Sequence, residues 1–231
     1  DIIVNHRNSK YAEILLDPTA VSKEKQNSNE IYEKLYLDFN EQKYIQVIDD
    51  CNQYILNFNG EPIVPKLEFL KALAIARVYG LKEYEKALTF IKLNYSTTVE
   101  GKEAELILDE VLPAVQNDNF INNKMSDNYK IIYQFPVESH DEISSQINDL
   151  KQYIDNVDYL DLRVSKDFYN NIITFVVVHG LKSYDGSLGL AERLEKTIDI
   201  QADSFFVLSS DNYKTIQIHK NLDKFKTNNL L

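Results

Sequence analysis

Residues 40–48 read NEQKYIQVI and residues 80–88 read GLKEYEKAL, so one short motif occurs twice in this chain. Each copy places a tyrosine, Tyr44 or Tyr84, after a turn and at the start of an apolar-periodic segment, and the two tyrosines are 40 residues apart. This pattern is typical of helix-turn-helix repeats, such as tetratricopeptide repeats of about 34 residues. Repeats of this kind bind other proteins, so the motif favours protein–protein contact over catalysis.

The segments around the motif predict two helix pairs and a further helix. The expected helices are 29–40 with 44–58, then 65–79 with 84–94, and a capping helix at 101–115. Val47, Ile48 and Cys51 recur at helical spacing and predict one apolar face. Before these pairs, a helix beginning at Asn8 or Ser9 should stop at Asp17-Pro18, and the polar residues 19–28 read as a loop.

The hydrophobic pattern changes after residues 116–127, which are polar and read as a linker. Strands are expected at 129–135, 159–164, 172–178 and 204–209, with helices at 139–154, 186–198 and 212–225. We expect Ser139 and Glu142 to form a capping box at the first of these helices. The order βαββαβ predicts a ferredoxin-like domain, a four-stranded antiparallel sheet with two helices on one face.

The predicted fold class is therefore α+β, with all-α tetratricopeptide-like helical repeats followed by a small ferredoxin-like domain. Residues 1–115 form the repeat domain, 116–127 the linker, and 128–231 the ferredoxin-like domain with its C-terminal helix.

Composition excludes several classes of function. The net charge of −11 and the isoelectric point near 4.9 argue against binding to nucleic acid or to an anionic membrane surface. Cys51 is the single cysteine, so an intrachain disulfide is excluded. The chain begins at Asp1 without a methionine, so we expect any export signal or lipid-bearing cysteine to lie upstream.

Potential catalytic residues are scattered along the chain. His179 ends an apolar strand without a serine or cysteine in a nucleophile motif nearby, which favours a structural histidine satisfied by the backbone. The acidic residues beside His140 fit the first turn of a helix better than a metal site. Cys51 lies on an apolar helix face, which favours a buried, inert thiol. We therefore predict no catalytic residue, no metal and no cofactor.

Two groups of residues are candidates for partner binding. The first would line the inner face of the repeats, where the alternative is packing on the preceding helix. The second follows the last predicted strand, where the alternative is a helix cap at Ser210 or Asp211 with Tyr213 covering the sheet edge. The candidates are Tyr32, Tyr36, Phe39, Phe69 and Tyr79 in the repeats, and Asn212, Tyr213, Lys214, His219 and Lys220 after the strand.

Three segments resemble a known family. The run from Asn8 to Pro18, the two repeats, and the ending FVLSSDNYK at 206–214 are similar to the C-terminal part of SprE/PorW-type tetratricopeptide proteins of Bacteroidota. The resemblance implies a lipoprotein on the periplasmic side of the outer membrane, part of the type IX secretion system and of gliding motility. It implies a scaffold without enzyme activity that connects the outer-membrane translocon or ring to the motor.

Two alternatives remain open from the sequence. One is a periplasmic module that binds a cell-wall glycan (peptidoglycan), which exposed aromatic side chains on an open sheet face would favour. The other is an enzyme with a site between the domains, which a pocket with a strongly perturbed titratable pair would favour. Tyr129, Tyr133 and Phe135 alternate with Lys130, Ile132 and Gln134 along one strand, and this pattern does not separate the alternatives.

Overall fold

The computed structural model describes residues 20–156, 161–202 and 204–227, which form an α+β structure with one four-stranded antiparallel sheet. The predicted helix that ends at Asp17-Pro18 lies outside these residues. Contacts divide the chain into two compact units, Asp1–Lys71 and Ala72–Leu231. This division falls inside a helix, whereas the sequence predicted a break at 116–127.

The first unit is helical. Helix α1 (Ala20–Asn40) packs against helix α2 (Tyr44–Asn57), and Leu35, Val47 and Cys51 are buried. Helix α3 (Val64–Tyr79) begins in this unit. The prediction of a loop at 19–28 is wrong from residue 20 onward, because α1 begins there and continues through the polar stretch.

The second unit begins with the end of α3, and Gly80 joins α3 to helix α4 (Leu81–Asn94) with a φ of 83°. Helix α5 (Val99–Leu106) continues through a π-helical turn (Ile107–Val111) into helix α6 (Leu112–Val115). Pro113 has no N–H to donate to the carbonyl four residues earlier, which accounts for a widened turn at this point. A single helix was predicted over 101–115.

The sheet occupies the rest of the second unit. Its elements are strand β1 (Tyr129–Pro136), helix α7 (His140–Asp155), strands β2 (Arg163–Phe168) and β3 (Ile173–Leu181), helix α8 (Tyr184–Thr197), strand β4 (Ser204–Ser209), and helices α9 (Ser210–His219) and α10 (Leu222–Thr227). The strand order is β2-β3-β1-β4, and each neighbouring pair is antiparallel. Strands β2 and β4 therefore form the edges.

Both faces of the sheet are covered, by α7 and α8 on one side and by α9 and α10 on the other. One core joins alternate residues of β1 to Ile143 and Leu150 of α7 and Leu194 of α8. The opposite core joins Ile132 and its strand neighbours to helices α9 and α10. Residues buried in this second core are Ile132, Tyr169, Phe175, Val177, Phe206, Leu208, Tyr213, Ile216, Leu222 and Phe225.

The segment predicted as a linker packs on the sheet. The Phe120 ring meets the Phe225 ring edge to face, with centroids 5.0 Å apart. Asn123 is buried, donates to the carbonyl of Val207 (2.9 Å) and accepts from the N–H of Ser209 (2.8 Å). One polar residue of this segment, Asn123, therefore bonds to the edge strand β4.

Two predicted helix caps differ in the structure. Ser139 precedes α7, but its side chain makes no capping hydrogen bond, so the expected capping box with Glu142 is absent. Ser209, not Ser210 or Asp211, caps α9 by accepting from the N–H of Asn212. The closing helix predicted at 212–225 is divided in two, because Lys220 adopts the left-handed conformation with a φ of 52°.

Candidate functional site

Three of the predicted partner-binding residues form a row of stacked rings on α1, which we call the aromatic ladder: Tyr32, Tyr36 and Phe39. The centroids of Tyr32 and Tyr36 are 6.4 Å apart, as are those of Tyr36 and Phe39, and the planes are 17° and 13° from parallel. Phe39 also meets Tyr44 edge to face at 5.1 Å. Tyr36 is 48% exposed, so the middle of the aromatic ladder presents a ring to solvent.

The other two repeat candidates lie on α3. Phe69 is half-buried in the part of the helix that belongs to the first unit, and Tyr79 is 50% exposed at the end that belongs to the second unit. Of these two residues, Tyr79 is therefore the more exposed to solvent.

Of the second predicted group, Asn212 and Tyr213 are interior residues. The Asn212 amide accepts from the N–H of Ile121 (2.9 Å), donates to the Ile121 carbonyl (3.0 Å) and donates to Asn123 Oδ1 (3.3 Å). Tyr213 is buried in the core under α9. Because both side chains are buried, Asn212 and Tyr213 are not available to a partner in this structure.

The remaining members of that group differ in exposure. Lys214 is exposed, and His219 is half-buried. The Lys220 ammonium donates to Gln217 Oε1 at 3.1 Å and lies 5.1 Å from the centroid of the Tyr169 ring. Burial, reinforced by the charge of Arg77, lowers the pKa of Lys220 to about 7.

The structure also assembles a polar cluster that the sequence did not predict. We call it the polar relay: Lys130, His179, Ser165, Asp167 and Tyr213. Lys130 Nζ lies 3.1 Å from His179 Nδ1, and His179 Nε2 lies 2.7 Å from Ser165 Oγ. Ser165 Oγ donates to Asp167 Oδ1 at 2.7 Å, and the Tyr213 hydroxyl donates to Asp167 Oδ2 at 2.5 Å. All five side chains are at least partly buried.

Donor and acceptor capacity fixes the direction of the polar relay. A charged Lys130 can only donate, so His179 Nδ1 must accept and the imidazole proton must sit on Nε2. His179 then donates to Ser165, whose hydroxyl proton goes to Asp167. Burial, reinforced by the charge of Lys130, lowers the pKa of His179 and so favours this neutral imidazole.

This direction bears on nucleophilic catalysis. A serine nucleophile needs a general base that can take its proton, most often a histidine nitrogen. Here His179 Nε2 carries a proton toward Ser165, and the serine proton is held by Asp167. Burial lowers the pKa of Lys130, whereas burial and then the charge of Asp167 raise the pKa of Tyr213. The arrangement satisfies these polar groups, and in this direction His179 does not act as the base for Ser165.

The sequence contained one signal for the polar relay. Ser165 and Asp167 are two residues apart, which places both side chains on one face of a strand. The strand was predicted at 159–164, so Ser165 and Asp167 both fell outside it. His179 was expected to be satisfied by the backbone, whereas its ring bonds to side chains.

Cys51 agrees with the sequence-based interpretation. The side chain is fully buried, and burial raises the pKa of the thiol to about 12. A thiol with this pKa carries almost no thiolate near neutral pH, so it is a poor nucleophile.

No model of a protein family matches this chain, and no curated protein matches it significantly. Within the described residues, none of the helices combines the length and apolar character needed to span a bilayer.

Proposed function

We propose that this chain is a non-catalytic protein–protein interaction module of the bacterial cell envelope, of the SprE/PorW type. In this role it links the outer-membrane translocon or ring of the type IX secretion system to the motor that also drives gliding. The resemblance of residues 8–18, of the two repeats and of residues 206–214 supports this assignment. A lipid-bearing cysteine upstream of Asp1 would hold the protein at the periplasmic side of the outer membrane.

The aromatic ladder is the observation that carries the proposal. Parallel rings fixed on one helix provide a large contact area and lose little side-chain entropy on binding, and tyrosine is enriched at energetically important positions of interfaces. Tyr36 is 48% exposed and its neighbour Leu37 is 63% exposed. An aliphatic residue this accessible beside a half-exposed ring adds to a surface suited to a protein partner.

The finer fold assignment is part of the same proposal. Helix pair α1–α2 supports a tetratricopeptide-like repeat region, because its members pack together through Leu35, Val47 and Cys51. The antiparallel order β2-β3-β1-β4, with α7 and α8 as the connecting helices, supports a ferredoxin-like domain. Helices α9 and α10 are additions to that pattern.

The rival glycan-binding module required aromatic side chains on an open sheet face. Tyr133 and Phe135 are buried under α7 and α8, and Phe175 and Phe206 are buried under α9 and α10. This covering leaves the glycan alternative without its expected surface. The direction of the polar relay similarly supports a non-catalytic role.

An affinity pull-down from detergent-solubilised envelopes of the protein's own organism tests the proposal, with partners identified by mass spectrometry. We expect wild type to recover translocon, ring or motor components, and the double variant Tyr32→Ala/Tyr36→Ala to lose them. Leu56→Ala is the matched control, because Leu56 is 78% exposed on α2 in the same unit. Recovery of cell-wall fragments alone by wild type would overturn the scaffold and favour the glycan-binding alternative.

A further inference from the structure

Three basic side chains form a row across three neighbouring strands, which we call the basic row: Lys130 on β1, His179 on β3 and Arg163 on β2. Lys130 Nζ lies 3.1 Å from His179 Nδ1, and Arg163 is the direct cross-strand partner of His179. The Cβ atoms of directly opposed residues on antiparallel strands are about 4.5–5.5 Å apart. The basic row therefore brings an ammonium, an imidazole and a guanidinium together at one end of the sheet.

Alternation along the strands places the whole basic row on the face of the sheet that α9 and α10 cover. Ile132 of β1 and Val177 of β3, each two residues from the member of the row on its own strand, are buried in the core under these helices. Val164, which follows Arg163 in β2, packs in the opposite core, so the Arg163 side chain is on the same face as the rest of the row. Arg163 is exposed, whereas the other two members are half-buried, so the row is open to solvent at its β2 end.

The positive charges of the basic row lack a carboxylate partner. Neither Lys130 nor Arg163 forms an ion pair with a carboxylate of the described residues. The carboxylate of Asp167 acts on the row from β2, but its two oxygens already accept from the hydroxyls of Ser165 and Tyr213. Like charges held together in this way repel each other, and in a chain of net charge −11 their unpaired state calls for an explanation.

The repulsion within the basic row affects the pKa of two of its members. Burial first, and then the charges of Lys130 and Arg163 against the opposing effect of Asp167, lower the pKa of His179. Burial and the charge of Arg163, again against Asp167, lower the pKa of Lys130. Each charge of the row therefore acts on its neighbours, and an anion placed over the row would offset this repulsion.

We propose that the basic row binds a phosphate group, either as inorganic phosphate or as part of a phosphomonoester. Lys130 uses one of its three N–H donors on His179 and keeps two for the anion. Arg163 has five N–H donors, and none of them is engaged by another of the described residues. A guanidinium can donate two parallel hydrogen bonds to two oxygens of one phosphate. Lys130 keeps its bond to His179 on binding, so the polar relay stays intact.

The charge of the site selects this ligand. Lys130 and Arg163 together carry two positive charges, which match the two negative charges of a phosphate group above neutral pH. A monovalent anion such as acetate neutralises only one of them. The net charge of −11 opposes an extended polyanion such as nucleic acid, so the basic row suits a single phosphate group.

NMR spectra of the His179 imidazole in the full chain, titrated with sodium phosphate at about pH 8 and constant ionic strength, test the proposal. We expect saturable shifts of the imidazole signals, and much weaker binding of acetate. Arg163→Gln should weaken phosphate binding about tenfold or more, because one of the two charged donors is lost. Lys166→Gln is the matched control, since it removes the same charge from an exposed position on the opposite face of β2 and should bind phosphate as wild type does.

Two results would overturn the proposal: no saturable shifts up to about 20 mM phosphate, or equal binding by Arg163→Gln and wild type. Thermal unfolding provides a second readout, because a ligand that binds only the folded state raises the melting temperature. Phosphate should raise it more for wild type than for Arg163→Gln, a comparison that cancels the general effect of the salt. Methyl phosphate then identifies the source of the group. Tighter binding of methyl phosphate indicates a phosphomonoester, and equal or tighter binding of inorganic phosphate indicates the free anion.

Discussion

His179 Nε2 lies 2.7 Å from Ser165 Oγ, and the two residues belong to neighbouring strands, β3 and β2. The contact holds a neutral imidazole between an ammonium, Lys130, and the carboxylate of Asp167 at the far end of the chain of hydrogen bonds. Protonating the imidazole would place a second positive charge against Lys130. The folded state therefore resists protonation of His179.

The lowered pKa of His179 predicts a loss of stability in acid. An unfolded histidine has a pKa of about 6.5, so the unfolded state takes up the proton first. The contribution of neutral His179 to the free energy of unfolding is complete above that pH. It is lost as the pH falls toward the lower pKa of His179 in the folded state. The free energy of unfolding, measured with urea, should decrease less between pH 7.5 and pH 5.5 for His179→Gln than for wild type.

The exposed His140 provides the control for that experiment. His140→Gln should leave the wild-type pH dependence in place. If the free energy of unfolding decreases equally in His179→Gln and in wild type, the prediction that His179 is neutral in the folded state is contradicted.

The lowered pKa of Lys220 predicts a second pH dependence of stability, at alkaline pH. Its pKa of about 7 in the folded state is below the value of about 10.4 in an unfolded chain. The unfolded state therefore binds more protons between these values, and the free energy of unfolding should increase as the pH rises from 7 toward 10. Lys220→Met should flatten this increase and raise stability at pH 7, because the penalty of a buried charge is removed.

Lys214→Met is the matched control, because Lys214 is exposed on α9, the same helix that ends at Lys220. In Lys214→Met, the free energy of unfolding should increase above pH 7 as it does in wild type. The measurement is denaturant unfolding followed by circular dichroism at several pH values. A steeper increase in Lys220→Met than in wild type would disprove the burial of its charge.

Replacing Gly180 or Gly189 by alanine should change the free energy of unfolding in opposite directions. Gly180 has a φ of 94° in β3, and a Cβ there would clash with the backbone carbonyl oxygen of Asp161. Gly189 lies inside α8 with open space around a Cβ. Gly180→Ala should lose more than about 2 kcal/mol of unfolding free energy, whereas Gly189→Ala should gain about 0.5–1 kcal/mol. Equal melting temperatures for the two variants would contradict this account.

Asn212 should be important for stability and not for partner recovery. Asn212→Ala removes the bonds to both backbone groups of Ile121 and to Asn123, and should lower the unfolding free energy by about 1–3 kcal/mol. Lys214→Ala, at an exposed position two residues further along α9, should change it by less than about 0.5 kcal/mol. A fully stable Asn212→Ala variant that fails to recover partners would restore Asn212 to a docking surface.

The sequence predicted the buried strands well and the polar edge strand poorly. Strand β4 was expected at 204–209 and occupies those residues, because its run of apolar side chains is buried. Strand β2 was expected at 159–164, where apolar residues are frequent, but it spans Arg163–Phe168. Its inward positions Ser165 and Asp167 are polar because they bond to His179 and Tyr213, and hydrophobic periodicity does not detect such pairing.

The candidate site was predicted only in part, again because local sequence patterns do not encode polar contacts between distant residues. The spacing of Tyr32, Tyr36 and Phe39 is helical, so their shared face followed from the sequence, and the rings do stack. The segment around Asn212 is polar and aromatic and directly follows a strand, which suggested that Asn212 is accessible. Its bonds to Ile121 and Asn123 join positions about 90 residues apart in the chain, and no local pattern encodes contacts of that range.

The side chain of Asn123 also has a consequence for self-association. It offers one acceptor to Ser209 and one donor to Val207, which is the pattern that an adjoining strand would present to β4. Uncovered strand edges are templates for edge-to-edge aggregation. By filling these two positions, Asn123 occupies part of the edge of β4 that a second copy of the chain would need in order to extend the sheet.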